Sequence, residues 1–201
     1  RGGMECHPCQ DWLMRVLDPF LSQWPDVDLD VTTAFQFGGL AALLSHEIDI
    51  LVTPDPVEQP GIEYQSVFDY ELVLAVAETH PLADKGRAEP ADLAGDTLIT
   101  YPVSRERLDI YTQFLIPAHA LPRRHRTVET TDLMLRLVAS GRAVSATPDW
   151  LLRDAKGVRG VRLGQGIAKS IHLGHRKGEC PNYLSGFMEL AATVQIETVQ
   201  I

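Results

Sequence analysis

Apolar residues recur at spacings of three and four between positions 9 and 24. Trp12, Leu13, Val16, Leu17, Phe20, Leu21 and Trp24 there define one face of an amphipathic helix. Pro19 lies inside that stretch and removes a backbone donor, which predicts a kink or a helix in two pieces. Val27-Asp28-Leu29-Asp30-Val31 then alternates with the period of a strand that buries one face. Residues 40–46 read as a short helix, and Ile48-Asp49-Ile50-Leu51-Val52 as a β-branched strand ending at Thr53-Pro54. The first 54 residues thus run strand, helix, strand, helix, strand, the order of a parallel α/β sheet. An apolar stretch over 70–77 reads as a strand leaving this unit, and 80–95, rich in Pro, Ala, Gly and Asp, as a linker with a turn or two.

A second alternating unit follows. Leu98-Ile99-Thr100-Tyr101 is a strand, and Ser104 is placed to cap a helix carrying Leu108, Tyr111, Phe114 and Leu115 that closes at Pro117. Arg126-Thr127-Val128 is a brief strand. Thr130 or Thr131 caps a helix bearing Leu133, Met134, Leu137 and Val138 that stops at Gly141, and 143–147 is another strand, with Pro148 opening a short helix through Leu152. Residues 158–163 and 170–175 are two strands separated by Gly164-Gln165-Gly166. A last helix presents Tyr183, Leu184, Phe187, Met188, Leu190 and Ala191 on one side. If the chain returns here to its first lobe, it crosses twice between lobes and a cleft lies between them.

Composition narrows the function classes. The 201 residues are 45% hydrophobic and 22% charged, an ordinary globular balance, and no apolar run approaches the roughly 20 residues a membrane-spanning helix requires. Arg1-Gly2-Gly3-Met4-Glu5 lacks the apolar segment of a signal peptide. The expectation is a soluble chain without targeting of its own. Its opening, which runs almost at once into a strand, reads as part of something longer. Against 18 Lys and Arg stand 27 Asp and Glu, a net charge of -9 that opposes close approach to a polyanion. Three cysteines are too few for a disulfide scaffold and fit a reducing, cytoplasmic compartment.

Several phrases together resemble a known family. They are Leu44-Ser45-His46-Glu47-Ile48-Asp49-Ile50-Leu51-Val52-Thr53, then 71–77 running into His80-Pro81-Leu82-Ala83, Asp92-Leu93-Ala94, Leu98-Ile99-Thr100-Tyr101-Pro102, and the stretch 137–148. They resemble the effector-binding domain of LysR-type transcriptional regulators. The opening Met4-Glu5-Cys6-His7-Pro8-Cys9-Gln10-Asp11-Trp12-Leu13 is similar to the MetR subgroup, which controls methionine biosynthesis and carries Glu-Cys-His before the first helix. Three features depart from the pattern: the short lead-in to the first strand, Pro19, and Arg142 where a small residue is common.

The resemblance implies an α/β, two-lobed type II periplasmic-binding-protein-like fold, each lobe a mostly parallel sheet flanked by helices. Lobe I is expected at 1–76 plus 166–201 and lobe II at 77–165. It implies a small amino-acid effector, homocysteine or a relative, held in the cleft between the lobes, whose relative setting it biases. It also implies a homodimer or tetramer formed through this domain, and DNA binding only through an N-terminal winged helix-turn-helix domain that this chain lacks. No cofactor, metal, membrane partner or turnover chemistry is expected.

In a parallel α/β sheet, ligands settle beyond the carboxyl ends of the strands, where helix N-termini present free N–H groups. That rule selects Cys6, His7 and Cys9 after the first strand, Thr32, Thr33 and Phe35 after the second, and Thr53 after the third. In the second lobe it selects Tyr101, Pro102, Val103 and Ser104. The amides opening the helices after Cys9 and Val103 suit an effector carboxylate, and the threonine hydroxyls add donors and acceptors. His7 has two readings, an effector-binding imidazole or a structural cap on the first helix. The threonines also fit as residues of high β propensity, and Tyr101 as a packing residue whose hydroxyl reaches the cleft.

Other chemistries carry less. Cys6 and Cys9 form a C-x-x-C between strand and helix, the setting of a thiol-disulfide oxidoreductase, but the chain continues into two lobes. Cys6, His7 and Cys9 supply at most three zinc ligands, two of them adjacent. Ser104, Ser140 and Ser145 lack a nucleophile-elbow sequence, and Gly164-Gln165-Gly166 lacks the context of a nucleotide loop. A free-standing amino-acid solute-binding protein is the remaining alternative. A mixed disulfide between homocysteine and Cys6 or Cys9 would couple such a sensor to redox state.

Overall fold

The strand Gly2–Met4 (β1) is fully buried and pairs in parallel on both sides, with Val31–Thr32 (β2) and with Ile50–Thr53 (β3). The structure, a computed structural model, describes residues 1–32, 38–194 and 196. It divides into two compact units, unit 1 comprising Arg1–Asp69 with Ser170–Ile196, and unit 2 comprising Tyr70–Lys169. Two long strands, Ile62–Ala77 (β4) and Val158–Arg176 (β9), carry the chain from one unit to the other.

In unit 1 the sheet order is β2-β1-β3-β9, with β9 antiparallel to β3. The helix Gln10–Gln23 (α1) buries Trp12, Leu13, Val16, Leu17 and Phe20, the face its periodicity defines. It runs through Pro19 as one helix, so of the two outcomes expected there the helix in two pieces does not occur. Pro19 is exposed, on the face of the helix turned away from the buried residues. The helix Asn182–Thr193 (α4) lies beside α1, with Phe187 meeting Phe20 edge-on at 5.3 Å. Trp12 packs on Phe68 at 5.4 Å. The short helix Gly39–Leu44 (α2) contributes Ala42 and Leu43 to a cluster with Ile48 and Leu51.

Arg176 ties that corner down. Its guanidinium donates to the carbonyls of Leu43 and Ile48, each at 2.7 Å, and pairs with Asp49 and Glu179.

Unit 2 has the sheet order β4-β8-β6-β7, with the further strands Arg87–Ala88 (β5), Thr97–Thr100 (β6), Arg124–Thr127 (β7) and Val144–Pro148 (β8). β6 is parallel to β7 and β8, β8 is antiparallel to β4, and β5 pairs with β9. Neighbouring residues of β6 bury in different apolar clusters: Leu98 with Tyr111, Phe114 and Leu163, and Ile99 with Met134, Val138 and Leu152. The second cluster is closed by the helix Thr131–Ala139 (α3), after which Gly141 adopts φ +70°, the left-handed turn that favours glycine.

Several expected elements change form. The strand expected over 27–31 is described as Val31–Thr32, which among the described residues pairs with β1 alone. The stretch expected as a linker contains β5 and a 3₁₀ turn, Pro90–Gly95. The two strands expected around Gly164-Gln165-Gly166 are one, β9. The glycines hold positive φ within it, and Phe114 approaches within 3.5 Å of where a Gly164 side chain would begin. The helix expected from Ser104 is a 3₁₀ turn, Arg105–Arg107, followed by a π-helical turn, Ile110–Leu115. No helix among the described residues is long and apolar enough to cross a membrane. The architecture is α/β, with a mostly parallel sheet flanked by helices in each unit.

Candidate functional site

Beyond β1 the chain turns through Glu5 and Cys6 into a 3₁₀ turn, His7–Cys9, whose Pro8 fits the first turn because it has no N–H to leave unsatisfied. Cys6 and Cys9 are joined by a disulfide, with Cα atoms 5.4 Å apart, and the Cys9 N–H donates to the Cys6 carbonyl at 3.2 Å. Cys6 is 5% exposed and Cys9 fully buried. The C-x-x-C pair is thus oxidised, not two free thiols. Neither sulfur is a thiolate for zinc, and a mixed disulfide with a ligand first requires this bond to open. The remaining cysteine, Cys180, is a free thiol 3.3 Å from the Ser185 hydroxyl. α1 begins directly after Cys9, continuing the 3₁₀ turn, with no side-chain cap. The two readings of the His7 side chain, and those of Thr33 and Phe35, lie outside the described residues.

Thr53 ends β3 and is 1% exposed. Its hydroxyl donates to Glu5 Oε2 at 2.8 Å and accepts the Asp55 N–H at 3.1 Å, so its donor is committed to a carboxylate of the protein. Glu5 Oε1 accepts the first amide of α2, Gly39 N–H, at 3.0 Å. Glu5 therefore links the ends of β1 and β3 to the start of α2. Thr32 ends β2, half-buried.

In unit 2, Tyr101 follows β6 with its hydroxyl 2.7 Å from Thr131 Oγ1. Burial pushes its pKa up, against the lowering effect of that hydrogen bond. Tyr101 packs against the Ile99 cluster, as its structural reading required. The Val103 amide donates to the Tyr101 carbonyl at 2.8 Å, while Pro102 and Ser104 are exposed. The helix N-terminus expected after Val103 is not formed there. Arg105, Glu106 and Arg107 offer no apolar face to bury, so the turn stays a single 3₁₀ unit.

Structure adds residues that spacing did not select. Glu5 stands within the quoted motif, but its partner is 48 positions away. Thr100 Oγ1 lies 2.9 Å from His125 Nε2, and the Tyr111 ring meets His125 edge-on at 5.3 Å, with the Arg105 guanidinium 5.2 Å from the Tyr111 centroid. Burial and the Arg105 charge both lower the His125 pKa, favouring the neutral imidazole. Asp149, at the carboxyl end of β8, is 5% exposed and accepts the Trp150 N–H at 2.9 Å. Burial raises its pKa against the lowering effect of backbone hydrogen bonds.

A cavity of about 410 Å³ also lies in unit 1, lined by Leu13, Leu17, Phe20, Ile50, Leu184 and Phe187 among others. It includes none of the predicted residues. It reaches the amino ends of β1 and β3, where Asp49 is already paired with Arg1 and Arg176, and its walls are otherwise largely apolar.

Comparison with known proteins agrees with this architecture. The chain is 37% identical over 182 residues to the HTH-type transcriptional regulator MetR of Escherichia coli K12, covering 89% of this chain and 57% of that protein. It therefore spans a little over half the length of that relative. The solved regulatory domain of MetR, a LysR family regulator from N. meningitidis, superposes with a TM-score of 0.86 at 34% identity, covering 96% of this chain and 91% of that one. A variant of that domain with two cysteines three positions apart replaced by serine matches with a TM-score of 0.84 at 32% identity, covering 96% and 92%. The model of the LysR substrate binding domain matches residues 3–195, and the chain belongs to that family.

Proposed function

We propose that the chain is the effector-sensing domain of a regulator of methionine-pathway genes and that it binds homocysteine or a closely related amino acid without turning it over. The observation that carries this reading is the polar junction at the carboxyl ends of β1 and β3. There the first amides of α1, the Cys6–Cys9 turn and the Glu5–Thr53 pair stand together on the scaffold of the MetR-type regulatory domain. The α1 amides suit the effector's carboxylate. DNA would be bound by a segment outside this chain, in the cytoplasm. A net charge of -9 supports that division of labour.

The domain would act as a homodimer or tetramer. Met14 and Leu21, seven positions apart on α1, are 45% and 43% exposed, and β2 is an edge strand, features that suit a second copy.

Calorimetric titration with homocysteine, methionine and cysteine in parallel tests the reading. Saturable binding of homocysteine in preference to the other two supports it, and equal binding of many amino acids favours a general solute carrier instead. The disulfide at a helix start leaves a thiol-disulfide oxidoreductase as the contrasting enzymatic reading. The burial of both sulfurs weighs against it, and failure to reduce insulin with dithiothreitol would exclude it.

A further inference from the structure

In unit 1 three polar side chains fall in one row across adjacent strands. β1 and β3 are parallel with Met4 beside Val52, and the Glu5 N–H continues the ladder to the Val52 carbonyl at 3.0 Å, which brings Glu5 beside Thr53. β9 is antiparallel to β3 with His172 opposite Thr53, so Glu5, Thr53 and His172 share a face.

The charge in this row is unbalanced. An ionised carboxylate offers about four acceptor positions, and Glu5 fills two, one with the Gly39 N–H and one with the Thr53 hydroxyl. No Lys, Arg or His side chain that the structure describes, which excludes His7, pairs with it, and it is half-buried. Its field reaches its neighbours: besides burial, the Glu5 charge pushes up the pKa of the Tyr64 hydroxyl. On the same row His172 Nδ1 is buried without a hydrogen-bond partner. The acceptor positions that Glu5 leaves open can take N–H donors from a ligand cation, a charge-assisted contact.

We propose that Glu5 is the ammonium-recognising group of the effector site, so that the ligand must carry a primary amine and a plain carboxylic acid of the same length is rejected. This rests on the amino-acid sensor reading and adds the charge the ligand must present. Two open acceptor positions on Glu5 match two N–H donors of an ammonium, while its other contacts keep the carboxylate fixed to β3 and α2. The effector's carboxylate is left to the α1 amides. The disposition favours a zwitterion over either single charge.

The test uses the 201-residue protein, its Glu5→Gln variant, homocysteine and its deaminated analogue 4-mercaptobutanoate. Glutamine keeps an oxygen acceptor of the same reach and loses the charge. Wild-type protein is expected to prefer homocysteine by about ten- to a hundredfold, the range of a charge-assisted hydrogen bond. Glu5→Gln is expected to lose most of that preference while 4-mercaptobutanoate binds as well as before or better. Equal binding of both compounds by the wild type, or an unchanged preference in the variant, overturns the assignment and leaves the sensor reading standing. A purely structural Glu5 would lower stability without moving the ratio. If the variant does not fold, the wild-type ratio alone decides. Should the wild type bind neither compound nor any member of an amino-acid panel, the sensor reading fails and this assignment with it.

Discussion

Glu5 and Gly39 meet at 3.0 Å, carboxylate oxygen to amide nitrogen, and the contact exists because Gly39 has no side chain. A Cβ at Gly39 would overlap the Leu51 Cδ1 methyl and stand 2.9 Å from Glu5 Oε1. Neither neighbour can retreat easily, since Leu51 is 1% exposed in the α2 cluster and Glu5 is held by Thr53. Gly39→Ala is therefore expected to destabilise unit 1 by about 1–3 kcal/mol, the range for overpacking, despite the better helix propensity of alanine. Urea denaturation of the two proteins measures it. A variant as stable as the wild type would show that α2 moves away freely and that Glu5 does not fix it.

Arg176 makes a second junction that depends on shape as well as charge. Its Nη1 donates to two carbonyls, Leu43 and Ile48, while Nη2 and Nε reach Asp49 and Glu179. A lysine ammonium is a point donor and cannot span that set. Arg176→Lys is expected to cost roughly 2 kcal/mol, because acceptors in a half-buried corner lose their donors, and Arg176→Ala more. Thermal unfolding of the two variants checks the order. Equal midpoints for Arg176→Lys and wild type would mean that charge alone holds the corner.

Much of this architecture is legible in the sequence, because burial leaves a periodic trace. α1 follows from the spacing of Trp12, Leu13, Val16, Leu17 and Phe20, and the alternation of strands and helices follows from the same pattern. Local signals misled where tertiary contacts overrule them. Gly164-Gln165-Gly166 has the composition of a turn, yet long-range pairing carries β9 straight through it. The stretch after Ser104 has helix formers, but its first three residues offer nothing to bury.

The strand-end rule points to Cys6 and Thr53, which the structure places just after β1 and at the end of β3. It could not reveal what their side chains do, because both have partners of their own, Cys9 for one and Glu5 for the other. Register between β1 and β3 is non-local information, and Glu5 becomes visible only once that register is known.

Asp49 gives the fold one acid-sensitive point. Burial by itself would raise its carboxyl, but hydrogen bonds from Arg1 and from Arg176 carry it from 3.8 down to about 2. A depressed carboxyl pKa contributes stability in full above the unfolded value near 4, and that contribution is lost as pH falls toward 2. The Asp49 side chain is 30% exposed, so solvent screening reduces the effect to about 1 kcal/mol. Asp49→Asn should thus lower stability at pH 6 by about that amount and make little difference at pH 2. A gap of the same size at both pH values would assign the loss to packing.

Asp149 predicts the opposite sign. It lies at the end of β8, 5% exposed, and Glu71 adds a like charge to the effect of burial, so its pKa is raised above 3.8 even though the Trp150 and Glu71 amides favour the ionised form. A raised carboxyl pKa means that folding takes up a proton between the unfolded and folded values. Stability is then greatest below the unfolded pKa and falls as pH rises through the folded one. An asparagine in its place would keep an oxygen to accept the Trp150 N–H, which Asp149 now accepts at 2.9 Å, and would carry no charge into the protein. Asp149→Asn is accordingly expected to be more stable than the wild type at pH 7, with the difference shrinking at pH 3, where the wild-type carboxyl is itself protonated. Urea midpoints at the two pH values decide the matter. A variant less stable at pH 7 would mean that the ionised carboxylate is held by its amide donors more strongly than burial and Glu71 oppose it.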